Sequence, residues 1–233
     1  MPLHYGYFWD PSYLILIPAI IFSLYAQIRV KSVFAKYETT KNFRGYTGSE
    51  VARMILDNNG LSDIGIEHVS GKLTDHYDPG AKVIRLSDTV YDSRSVAAIG
   101  VAAHEAGHAV QYATDYSPIK IRNAVIPITN IGSRLAVPIV VLGLIFSALQ
   151  FLIPIGIFLF CFVVFFQAVT LPVEFNASKR ALETLRDFNI LEDDELKKSK
   201  AVLNAAAMTY VAALAASLLS LLRLLLLANR RRN

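Results

Sequence analysis

The chain has 233 residues, 54% of them hydrophobic and 18% charged, with a mean hydropathy of +0.41, which is too apolar for an ordinary soluble domain and points to several membrane spans. The net charge of +4 comes without a basic stripe interleaved with aromatics, which argues against nucleic acid as a partner. A single cysteine, Cys161, excludes a disulfide scaffold and requires no oxidising compartment.

The first predicted element is a membrane anchor at residues 11–28, PSYLILIPAIIFSLYAQI, with Trp9 and Tyr13 as interfacial aromatics. No Lys or Arg precedes it, so it does not read as a cleavable signal. Arg29, Lys31, Lys36, Lys41 and Arg44 follow it, and the positive-inside rule places the chain from residue 29 onward in the cytoplasm. Residues 29–122 then read as a cytoplasmic α+β segment. TGSEVARMILDNNG carries helix start and stop signals, with Thr47 or Ser49 as N-cap and Gly60 beyond the end. A β-hairpin is predicted next, with arms at roughly 66–75 and 81–87 around an Asp78-Pro79-Gly80 turn. A helix capped at Ser93 or Ser95 follows, and it contains the stretch His104-Glu105-Ala106-Gly107-His108.

Residues 135–172 are almost continuously apolar and too long for one crossing, so a transmembrane hairpin is predicted, broken near QFLIPIG. Its loop lacks basic residues, whereas Arg122, Arg134, Lys179 and Arg180 flank it on the inner side. A charged cytoplasmic segment, 173–200, leads into an apolar helix over 201–228. If that helix crosses, the basic tail from Arg230 onward lies outside, against the positive-inside rule; if it lies in the interface, the tail stays beside anionic lipid. Counting it gives four spans, the count favoured here.

H-E-x-x-H is the motif with the clearest chemistry. Four residues apart on a helix, His104 and His108 share one face and can share one Zn²⁺. Glu105 beside them can take a proton from a metal-bound water. The small Ala106 and Gly107 leave room for an ion and a peptide. Catalytic zinc needs a third protein ligand and an open position. His4 falls on the wrong side of the membrane, and His68 and His76 in the hairpin read as surface or packing residues. Glu174, in LPVEFNASKRAL at the cytoplasmic end of the apolar hairpin, is the better candidate. For the donor that steadies the oxyanion, the candidates are His76, Tyr77 and Tyr210, each read more readily as a packing or turn residue.

The stretches LTDHYDP, RSVAAIGVAAHEAGHAVQ, LPVEFNAS and LNAAAMTYVAA resemble the bacterial YugP-type neutral zinc metallopeptidases, membrane gluzincins related to HtpX and the CAAX prenyl protease. The resemblance covers nearly the whole chain. It implies one Zn²⁺ on His104, His108 and Glu174, with Glu105 as general base. The chain departs from the HtpX pattern at Ser178, where those proteases carry Asp; a hydroxyl there can orient a ligand histidine but brings no charge.

The expected protein is therefore a mainly α, multi-pass membrane protein, with about four transmembrane helices and a small α+β gluzincin-like zinc protease unit facing the cytoplasm. Its expected function is peptide-bond hydrolysis, with a peptide or membrane protein as substrate and the bilayer as surroundings. An intramembrane site-2 type protease is disfavoured, because the H-E-x-x-H helix is rich in Ala and Gly and is bounded by polar sequence. A zinc-containing membrane scaffold or chaperone is the alternative from another class. A transporter with a coincidental motif fits poorly with so long and structured a polar segment. The physiological substrate and the oligomeric state are not written in the sequence.

Overall fold

The computed structural model describes residues 11–230, so His4, Trp9 and the last three residues lie outside the described region. The chain is mainly helical. After a 3₁₀ turn at Pro11–Leu16 come α1 (Ile17–Glu38), α2 (Gly48–Asn58), β1 (Gly65–Val69), β2 (His76–Asp78) and β3 (Val83–Ser87). They are followed by α3 (Val96–Ala113), α4 (Ser117–Ile145), α5 (Leu152–Asp187) and α6 (Asp193–Arg230). Among the described residues, four helical stretches are long and apolar enough to cross a membrane: Ser12–Glu38, Ser117–Ile145, Leu152–Asp187 and Asp193–Asn229.

Contacts divide the chain into two compact units. One comprises residues up to Ala26, Ile121–Thr170 and the chain from Thr209 onward. Its small core joins Ala136 and Val140 of α4, Ile153 and Phe160 of α5 and Leu224 of α6. Glycines set the α4–α5 spacing: a Cβ on Gly132 would meet the Leu159 carbonyl oxygen at 2.6 Å, and one on Gly156 would meet that of Ala136 at 2.7 Å. Such small-residue contacts are how helices approach closely in lipid, where burial of apolar surface drives nothing. Arg223, the one charge in the leucine run of α6, lies over the Tyr13 ring at 3.8 Å from its centroid.

The other unit comprises Gln27–Lys120 and Leu171–Met208. Here α2 is held at its start by a capping box, in which Thr47 and Glu50 each accept from the other's backbone N–H. Its apolar face, Val51, Ala52, Ile55 and Leu56, is buried. α3 begins at Ser95, whose hydroxyl accepts from the Ala98 N–H. Its Ala-rich surface is buried on most sides, and this explains a composition that could pass for a membrane span. Two of its glycines are contact points. A Cβ on Gly100 would collide with the Ser199 Oγ of α6, and one on Gly107 would fall 2.8 Å from the Ala177 carbonyl oxygen of α5.

The sheet differs from the expected hairpin. Its order is β1-β3-β2, with β1 parallel to the central β3 and β2 antiparallel to it. The hairpin is therefore His76–Asp78 with Val83–Ser87, and the stretch expected as its long first arm is β1 plus a loop. The turn is the one expected: the Asp78 carboxylate accepts from the Gly80 and Ala81 N–H groups. Asp75 pins the entry to β2 by accepting from both the N–H and the hydroxyl of Ser87. Burial pushes the Asp75 carboxyl up, against those bonds.

Candidate metal centre

The helix period and one helix–helix contact build this site. On α3, His104 and His108 stack as neighbours, with ring centroids 4.7 Å apart and planes at 82°. Gly107, between them in sequence, lets the α5 backbone approach closely at Ala177. Glu174 and Ser178 lie three residues before and one after Ala177, and the close approach brings both to the histidines.

The Glu174 Oε2 lies 3.3 Å from the His104 Nε2 and 3.6 Å from the His108 Nε2. The three donor atoms fall within 4.8 Å of one another, with Glu174 buried and both rings mostly so. Donors about 3.3 Å apart are what a tetrahedral ion with bonds of 2.0–2.1 Å requires. Two imidazoles and one carboxylate are also the donor chemistry that suits zinc, with a position left open. The residues present fit the ion.

The far sides of both rings are engaged. The His104 Nδ1 is 3.1 Å from the Ser178 Oγ, and the His108 Nδ1 is 3.0 Å from the Gln111 Oε1. Gln111 is fully buried, and its partners fix which way its amide points. Its Nε2 donates to the Val173 carbonyl at 2.8 Å and to the Asn176 Oδ1 at 3.0 Å, both acceptors. The Oε1 can then only accept, so the His108 Nδ1 carries a proton and Nε2 is the nitrogen turned to Glu174. Asn176 also accepts from the Arg180 Nε at 2.8 Å. One chain of hydrogen bonds thus runs from α5 through Gln111 to the His108 Nδ1, on the side of the ring away from Glu174.

Burial works against a charged His108, but the Glu174 hydrogen bond, the charges of Glu105 and Glu174 and the Gln111 bond outweigh it and raise its pKa. A cation seated among these donors must displace that proton. Zinc affinity in the wild type is therefore expected to fall with decreasing pH from a point above 6.5, the ordinary imidazole value. Gln111→Leu, which removes the acceptor and leaves the Val173 carbonyl without this donor, should weaken zinc about 10–100-fold at neutral pH. A chelator competition titration across pH checks both outcomes.

Each expected site residue has a definite place. Glu105 lies between the two histidines on α3 and is 8% exposed. Tyr77 stacks edge-on against Tyr112 at 5.6 Å, one turn beyond His108, so it stays on the α3 side of the sheet. Burial pushes its phenol above the ordinary value, which keeps the O–H protonated at neutral pH. His76 is its neighbour along β2 and so faces the other way. There it bonds the Thr74 carbonyl and lies beside Arg85, in a row with Glu67 across the exposed strands. His68 pairs with Asp88 at 2.7 Å on the surface. Tyr210 lies on the part of α6 that belongs to the apolar unit. Gln111 and Asn176 escaped the sequence reading, although Gln111 sits at i+3 from His108, a helical-neighbour position where a partner for its ring could be sought.

Residues 12–229 match the family described as "Putative neutral zinc metallopeptidase". The chain belongs to this family. It is also 46% identical over 211 residues to the "Putative membrane protease YugP" of Bacillus subtilis (strain 168), covering 91% of this chain and 93% of that protein. No solved structure matches the chain. Family membership agrees with the cluster found on α3 and α5, since a zinc metallopeptidase needs the donor set that His104, His108 and Glu174 offer.

Proposed function

We propose that the chain is a membrane-embedded zinc endopeptidase that cleaves peptide bonds at the cytoplasmic face of the membrane. The observation that carries this reading is the convergence of His104, His108 and Glu174, with the Nδ1 of each imidazole engaged by a neighbour so that the Nε2 atoms face the carboxylate. Zinc held by these three residues would supply a water that ionises near neutral pH and would polarise the scissile carbonyl.

The chain's own residues perform the rest. Glu105 accepts the proton of the attacking water and delivers it to the leaving amine. Gln111 and Ser178 keep the two rings turned with Nε2 inward. Both are neutral, so neither ring gains the basicity that a carboxylate partner would confer. β2 is an edge strand resting on α3 through Tyr77, and its open side suits an extended peptide added as another strand. Tyr77 is the oxyanion donor favoured over His76, because its protonated phenol lies on the side of the sheet that packs against α3. The cytoplasmic orientation rests on the five basic residues from Arg29 to Arg44, which follow the first apolar helix.

The test is cleavage of an unfolded casein by the purified full chain in detergent, before and after zinc removal. Stripping the metal should abolish turnover, and one equivalent of Zn²⁺ should restore it. A zinc-loaded chain that leaves casein and other unfolded chains intact would instead support a scaffold.

A further inference from the structure

The apolar unit contains a charge that none of its described residues answers. Arg134 lies inside α4, and its side chain is exposed. Counting 1.5 Å per residue, it stands about 18 Å along the helix from Phe146, at the turn into α5. With a hydrocarbon layer of about 30 Å, that depth is near the middle of the bilayer and not at the inner edge where the sequence placed Arg134, because α4 runs on from Ser117 without a break. The neighbouring contacts agree, since Gly132 meets Leu159 and Val163, in the middle of the apolar run of α5. A guanidinium exposed to lipid at this depth is costly and is ordinarily matched by a partner.

Among the unit's other described arginines, Arg223 lies on Tyr13, Arg122 has an interaction of its own, and Arg230 is the last residue of α6. None of the unit's described residues is Asp or Glu. Asn130, one helical turn from Arg134, is also exposed, and Val137, Val141 and Ile145 continue the exposed surface as apolar side chains. The face is thus apolar toward the turn, with a donor-rich patch at mid-depth.

We infer that this face of α4 docks a transmembrane helix of another protein, one that carries a side-chain carboxylate near its middle. Charge decides the occupant. A second copy would set another Arg134 against this one, and the described residues of its apolar unit include no Asp or Glu. A lipid phosphate sits at the bilayer surface, about 15 Å away, beyond the reach of a snorkelling arginine. A buried acceptor on a passing helix meets Arg134 and Asn130 at their own depth. The inference needs the membrane placement of α4 and α5 but not the peptidase reading.

The experiment uses the full chain in phosphatidylcholine vesicles, with a donor fluorophore on Cys161, the chain's one cysteine, which is exposed on α5. Energy transfer is measured to an acceptor-labelled 24-residue Leu/Ala transmembrane peptide with Glu or Leu at its centre. The Glu-centred peptide should associate about tenfold more tightly than the Leu-centred one. Arg134→Leu should erase that difference, and Arg134→Lys should retain part of it. Equal binding of the two peptides to wild type would overturn the inference. So would an Arg134 effect that emerges only with anionic lipid, or an Arg134-dependent association of two copies of the chain.

Discussion

Glu105→Gln is expected to lower kcat on unfolded casein by about 10²–10⁴-fold, the range over which a positioned general base acts, while zinc content stays at the wild-type level. The two readouts separate because Glu105 is not among the three converging donors, although it lies between the histidines on α3. The amide keeps the shape of the side chain and can still hydrogen-bond a water, but it cannot hold a proton for transfer. KM should change little, since the substitution removes a group that acts in the transition state rather than in binding. A loss of zinc in this variant would mean that Glu105 is a ligand and that the assignment of roles along α3 is wrong.

The second large effect is expected on affinity. Glu174→Ala should weaken zinc by more than about 100-fold, beyond the 10–100-fold expected for an outer partner such as Gln111. It removes the only carboxylate among the three donors and leaves two neutral imidazoles, which cannot form the three-ligand set of a catalytic site. Glu174→Gln keeps an oxygen donor but no charge, so its affinity should fall between those of wild type and Ala. Competition with a chromophoric chelator measures all three proteins. Equal affinity for wild type and Glu174→Ala would remove α5 from the metal centre.

The sequence and the structure agree where the signal is local and periodic. His104 and His108 are four apart on a helix whose cap, Ser95, is itself a sequence signal, so their shared face could be read directly. The start of α2 was also legible, with Thr47 or Ser49 as its cap, and the structure selects Thr47 in a capping box with Glu50. Glu174 is far from them in sequence, and only its motif and the position of the apolar hairpin pointed to it. What brings it close is Gly107 against Ala177, a contact that no periodicity announces.

The sheet shows where local signals run out. A turn at Asp78-Pro79-Gly80 declares a hairpin, and the hairpin exists. The parallel pairing of β1 with β3 is a long-range choice with no turn to mark it. Strand alternation then sorts two adjacent candidates: Tyr77 faces α3, and His76 joins the exposed row with Arg85. Gln111 was hidden for another reason. A glutamine on an apolar helix reads as a surface residue until Val173 and Asn176 are seen to bury and orient it.

The most direct test of the account is zinc K-edge X-ray absorption on the purified full chain in detergent, together with its zinc content. The account predicts one zinc per chain with four nitrogen or oxygen neighbours at about 2.0–2.1 Å, two of them imidazoles. A sulfur neighbour at about 2.3 Å, three or more imidazoles, or a chain that retains no zinc would contradict it.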